Sequence, residues 1–240
     1  MEEKELKTST KQRVVIITIA VLMLGSMIAS YAAIILNGGK SSADSSADSS
    51  ISDEKIAEYE AAYSRKKEEF EKASAGDFSR FIKYKSEIKA YNEASANENG
   101  VKVKDLEVGS GRELGVDDSD YLAYYVGWCA DESIFDSSFD NNSDPKAFSK
   151  ILDASLGMIE GWNLGIEGMK IDGIRIVTIA SEFAYKDQME ICGGYNKPLK
   201  FMIMTKSKDG DLGKLAAELD TAYMRLQYAN YGIDYDSMGK

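Results

Sequence analysis

Residues 14–36, from Val14 to Leu36, contain no charged side chain, and such a run restricts where the rest of the chain can sit. At about 1.5 Å per residue it makes a helix of about 34 Å, long enough to cross the hydrocarbon core of a bilayer. Lys4, Lys7, Lys11 and Arg13 precede it, and basic residues beside a span stay inside, whereas Glu2, Glu3 and Glu5 weigh little. Ser30-Tyr31-Ala32 has the form of a signal-peptidase site, but apolar residues continue past it and the run is longer than a signal-peptide core. The expectation is a single-pass cell-membrane protein with an uncleaved signal-anchor: residues 1–13 cytoplasmic, 14–36 in the bilayer, everything after them extracytoplasmic.

The formal charge is −11. Because residues 1–13 hold four basic and three acidic groups, −12 falls on the part after the span. Nucleic acid is not an expected partner of so acidic a surface. The chain has no histidine, which removes the usual general base, the common catalytic triads and most zinc-site designs. No cofactor or metal is expected. Asp136, Asp140 and Asp144 have a calcium-like look, but no EF-hand loop with its glycine and terminal glutamate follows.

Residues 37–52, rich in Ser, Ala and Asp, are too polar to bury a core and read as a flexible linker. Residues 53–99 form a helical stalk. Its first segment, 53–72, carries Ile56, Tyr59, Tyr63 and Phe70, and a second opens at Asp77 as N-cap with Phe78, Phe81, Ile82, Ile88 and Tyr91. The thin apolar stripe suits a spacer leaning on its own domain, with a dimerisation stalk as the alternative. From residue 100 the period becomes two: Leu122, Tyr124, Val126 and Trp128 share one face, and Ala123, Tyr125, Gly127 and Cys129 the other. Residues 173–181 and 198–206 read as further strands, and a short helix between the 121–129 strand and these bears Trp162, Ile166 and Met169. This is an α+β arrangement. Residues 207–240 hold an amphipathic helix with Leu212, Leu215, Ala216, Leu219, Tyr223 and Leu226 in its stripe. It packs on its own domain or, alternatively, on a partner or second protomer.

Four blocks then stand in order: Tyr124-Tyr125-Val126-Gly127-Trp128, Ile134-Phe135-Asp136-Ser137-Ser138, Ile159-Glu160-Gly161-Trp162 with Gly165 and Gly168-Met169, and Phe183-Ala184-Tyr185. Together they resemble the FKBP-type peptidyl-prolyl cis/trans isomerases over residues 100–206. The resemblance implies a curved five-stranded antiparallel sheet around one short helix, with an apolar pocket for a proline ring. It also implies a catalytic set of Tyr125, Phe135, Asp136, Trp162 and Tyr185, and substrate contacts from Phe148, Met158, Ile159, Ile191 and Phe201. Trp162 would be the floor, the Tyr185 hydroxyl a donor to a substrate carbonyl, and Asp136 the group that orders the pocket. Proline-containing polypeptides would be the substrates, and the role that of a foldase outside the membrane. The alternatives are a binding module or chaperone of the same fold with little isomerase activity, and a passive structural tether.

Some positions depart from the family pattern. Lys186 follows the tyrosine where glycine is usual, the Ile-Pro-Pro run late in the next loop is absent, and Lys146 stands where a rim aromatic is common. Cys129 shares a face with Tyr125, and Cys192 lies in the loop that the resemblance places over that face. A disulfide between them is one expectation, two free buried thiols the other.

Overall fold

The structure, a computed structural model, describes residues 51–98 and 100–238. The expected anchor 14–36, segment 1–13 and linker residues 37–50 lie outside the described residues. Among the described residues no helix is long and apolar enough to cross a membrane.

The first helix, α1 (Asp53–Phe81), starts where Ser52 accepts a hydrogen bond from the Lys55 amide and Asp53 and Glu54 face the positive end of the helix dipole. It does not break before Asp77. The expected second start is corrected: α1 runs through Gly76, and Asp77 is an interior residue. A mid-helix glycine costs about 1 kcal/mol, and burying Phe70 and Phe81 outweighs it. A 3-10 turn (Ile82–Glu87) and the short α2 (Glu93–Asn97), capped by the Asn92 side chain, lead into the sheet.

The strands are β1 (Val101–Glu107), β2 (Leu122–Trp128), β3 (Ile134–Ser137), β4 (Leu152–Asp153), β5 (Ile174–Ile179) and β6 (Leu199–Lys206). All pairings are antiparallel in the order β1-β5-β6-β2-β3, and β4 adds a sixth, two-residue strand to the expected five. β3 and β4 share one edge of β2: Gly127 pairs with Asp136 near one end and Leu122 with Asp153 at the other. Helix α3 (Glu160–Ile166) lies against β5. A Cβ on Gly161 would collide with Ile179, and one on Gly165 with Val177, so the helix backbone rests directly on the strand. At its far end the buried Arg175 guanidinium donates to the Gly165 and Glu167 carbonyls and pairs with Asp105 of β1 at 2.6 Å.

Every residue of β2 is buried, because both faces of the sheet are covered. On one side Ala123 and Tyr125 join Trp162, Ile166, Val177, Ile179 and Phe201 under α3. On the other, Tyr124, Val126 and Trp128 meet Phe70 and Phe81 of α1 and Ala216 and Leu219 of α4 (Asp211–Asn230). The two long helices also touch each other, through the Tyr63 and Tyr223 rings at 5.7 Å and Lys66–Glu218 at 2.7 Å. Arg80 holds α1 to the sheet through Glu107 and the Asp172 carbonyl. The apolar stripes of stalk and C-terminal helix are thus occupied within the chain.

Candidate functional site

On the α3 side, four aromatic rings meet edge to face in a chain of three contacts. Tyr125 lies 5.8 Å from Trp162, Trp162 5.3 Å from Phe201, and Phe201 5.5 Å from Phe135 at an interplanar angle of 90°. Such T-shaped contacts suit the ring quadrupoles. Gly127 makes room for them, since a Cβ there would press on both Phe135 and Phe201. Tyr125, Trp162 and Phe201 are buried, while Phe135, Met158, Ile159, Tyr185 and Ile191 pack on the same cluster and stay half-buried. A closed aromatic floor with half-open apolar walls is an apolar recess.

A bulge arranges the wall. In the β2–β3 pairing Gly127 faces Asp136 and Trp128 faces Ile134, so Phe135 is an extra residue without a partner. Strict alternation would send Phe135 and Asp136 to opposite faces; a bulge re-aims a side chain, and here both reach the site. Asp136 Oδ2 accepts from the Tyr125 hydroxyl, and Oδ1 accepts from Lys150 Nζ and the Ser137 amide, each at 2.8 Å. Lys150 Nζ also lies 5.8 Å from the centre of the Tyr125 ring. The carboxylate is nearly enclosed and charge-paired.

The two phenols beside it are poor acids. Burial, and then the Asp136 charge, push both Tyr125 and Tyr185 well above the ordinary tyrosine range. Both remain hydrogen-bond donors at neutral pH. The site can therefore exclude water and donate hydrogen bonds, but it holds no group poised for proton abstraction or nucleophilic attack.

The loop after Tyr185 tolerates the missing glycine by placing Lys186 at φ +54°. It then makes a tight turn in which Ile191 and Gly194 exchange hydrogen bonds at 2.9 and 3.1 Å, with Cys192 and Gly193 at positive φ between them. Cys192 is bonded to Cys129, 63 residues away. Of the two expectations for these cysteines, the structure has the disulfide, and it carries Ile191 to the recess wall.

Nine of the ten expected site residues come together: Tyr125, Phe135, Asp136, Met158, Ile159, Trp162, Tyr185, Ile191 and Phe201. Phe148 does not, and its expected place at the rim is corrected. It is fully buried on the opposite face of the sheet, stacked on Tyr124 at 4.0 Å and edge-on to Phe78 and Phe81 at 5.4 Å each. Phe139 and Phe148 form a bridge in the segment after β3, and the aromatic side of α1 offers Phe148 more complete burial than the rim. Two neighbours escaped sequence reasoning. Lys150 stands 14 residues after Asp136 with no local signal. Tyr121, which accepts a hydrogen bond from the Trp162 indole at 2.9 Å, could have been found, because alternation puts it on the Tyr125 face.

Residues 116–206 match the family model for FKBP-type peptidyl-prolyl cis-trans isomerases. The chain is also 36% identical over 89 residues to an FK506-binding protein of Neisseria meningitidis serogroup B, an alignment covering 36% of this chain and 74% of that protein. The chain belongs to the FKBP-type isomerase family. Its enzymatic class is accordingly peptidyl-prolyl cis-trans isomerase. FK506-binding protein 3 of Yarrowia lipolytica is 38% identical over 94 residues, 38% of this chain and 21% of that longer protein. The crystal structure of AtFKBP13 is similar at 30% identity with a TM-score of 0.34, covering 45% of this chain and 92% of that one. The matched region holds β2 to β6 of the FKBP-like antiparallel sheet and every residue of the recess; α1, α2 and β1 precede it and α4 follows it.

Proposed function

We propose that this isomerase is held outside the cytoplasm by residues 14–36 and catalyses X-Pro isomerisation in chains folding there, without covalent chemistry. Rotation about an X-Pro amide faces a barrier of about 18–20 kcal/mol because resonance is lost at the perpendicular geometry. An apolar recess strips the amide of the water that favours its planar, charge-separated form. The twisted form is then gripped better than the flat one. Trp162, Tyr125 and Phe201 receive the prolyl ring, Phe135, Met158, Ile159 and Ile191 exclude water, and the Tyr185 hydroxyl donates to a substrate carbonyl. Asp136, restrained by Lys150, fixes Tyr125 and sets the polarity beside the turning amide. Lowering the barrier by about 5–8 kcal/mol corresponds to roughly four to six decades in rate.

The observation that carries this reading is the convergence of the aromatic floor with Asp136 and two protonated phenols. The Cys129–Cys192 bridge supports the extracytoplasmic placement, since disulfides persist in oxidising compartments. The deciding experiment is a proline-peptide isomerisation assay with the full chain. Tyr185→Phe is expected to lower kcat/KM about tenfold, the worth of one hydrogen bond. Asp136→Ala should cost more, because it leaves the Lys150 ammonium and the Tyr125 hydroxyl without their partner. No acceleration by micromolar wild-type protein would refute the reading. A second reading, a binding module with little turnover, is favoured by the loop 186–197, which lacks the family's glycine and prolines. It predicts that Trp162→Ala keeps partner binding while any catalysis is lost.

A further inference from the structure

The indole N–H of Trp162 is a polar group within a buried aromatic floor, and such a donor needs a partner. Its partner is the Tyr121 hydroxyl at 2.9 Å. Tyr121 is 0% exposed and Trp162 3%, so the bond is sealed beneath the recess, out of a substrate's reach. Tyr121 stands immediately before β2, where its carbonyl accepts from the Ala154 amide at 3.1 Å. Burial raises its hydroxyl to about 12, a shift the Trp162 donor only partly offsets, so it stays neutral over the working pH range. The contacts of the Trp162 ring with Tyr125 and Phe201 are edge-to-face, and an aromatic wall accepts an indole turned either way about its side chain. The hydrogen bond to Tyr121 is satisfied in only one of the two orientations.

We infer that Tyr121 is a positioning residue, whose hydroxyl selects the orientation of Trp162 and so the shape of the surface on which the prolyl ring lands. The catalytic part of this inference rests on the isomerase reading above, whereas the orienting part does not. A floor grips the ring alike in the planar and twisted states, so its disorder is felt in uniform binding. Tyr121→Phe removes one oxygen and little volume. It is expected to raise KM roughly tenfold with kcat within about twofold of wild type, the pattern of lost ground-state and transition-state binding together.

The spectroscopic test uses full-length protein in detergent micelles with nitrogen-labelled tryptophan. The two tryptophans provide their own control, because Trp128 donates instead to the Lys89 carbonyl on the other side of the sheet. In Tyr121→Phe the Trp162 indole resonance should shift and its proton exchange faster, while that of Trp128 stays in place. A Trp162 resonance and exchange rate unchanged by the substitution would overturn the inference, as would a kcat loss with KM unchanged. Should the variant fail to fold, exchange in wild-type protein decides: a Trp162 indole proton exchanging as fast as free indole is incompatible with a sealed bond to Tyr121. Absence of isomerase activity in wild type would sink the functional reading while leaving the indole measurements to judge the orienting role.

Discussion

The bridge between Cys129 and Cys192 closes a loop of 63 residues. Replacing both cysteines by alanine releases that constraint from the unfolded chain. On the chain-entropy relation a loop of this size is worth roughly 14 cal/mol/K, or about 4 kcal/mol at 25 °C. Cys129 is buried, but losing a sulfur from it is a small change beside the entropy term. For a folded unit of this size about 4 kcal/mol lowers Tm by roughly 8–16 °C. The assay is thermal unfolding of the full chain followed by circular dichroism, wild type and Cys129→Ala/Cys192→Ala, each with and without reductant. Reductant should bring the wild-type Tm down to that of the variant and leave the variant's unchanged. Apart from the bridge, hydrogen bonds from the Asn196 amide to Lys186 and the Gln188 amide to Tyr185, with the Lys197–Glu93 ion pair, hold the loop. Peptide affinity should therefore fall with stability, as Ile191 leaves the wall. A wild-type Tm that reductant moves by less than about 2 °C would refute the reasoning.

Phe148→Ala should destabilise the fold by about 3–5 kcal/mol, as a fully buried aromatic does, and leave kcat/KM of the folded protein unchanged; chemical denaturation and the peptide assay measure the two. A raised KM at unchanged stability would return Phe148 to the rim. Alkaline pH should also destabilise the fold. Tyr125 and Tyr185 are raised, and Tyr121 stands at about 12, against about 10 in an unfolded chain. Above pH 10 the unfolded state has therefore lost protons that the folded state keeps. Stability should be flat with respect to these groups below about pH 9, then fall progressively from about pH 10 towards 12. Urea midpoints across that range, with tyrosinate absorbance recorded alongside, check it.

The alternation of residues 122–128 disclosed β2 and both its faces, and the spacing of Trp162 and Ile166 disclosed α3. The four blocks in order contain six of the nine residues that meet at the site, and the family resemblance they carry supplied Met158, Ile191 and Phe201. Elsewhere, distant contacts decided the outcome. Gly76-Asp77 carries a local signal to stop and restart a helix, and burial of Phe70 and Phe81 overrides it. Phe148 obeys no short-range rule, since its direction depends on Phe78 and Phe81 of a helix that lies some 70 positions earlier. Phe135 and Asp136 can serve one site only because of a bulge, which leaves no residue-type signature in a four-residue strand. The Lys150–Asp136 pair is likewise invisible until the hairpin between them is folded.

The two long helices that shelter the outer side of the sheet lie on either side of the family-matched region in the chain, α1 before residue 116 and α4 after residue 206. A clone trimmed to the matched stretch alone would display Tyr124, Val126, Trp128 and Phe148 to water, a greasy patch that invites aggregation. During synthesis the same face must wait for α4, made last of all these elements. The nascent protein therefore carries that unfinished surface until translation has passed residue 230.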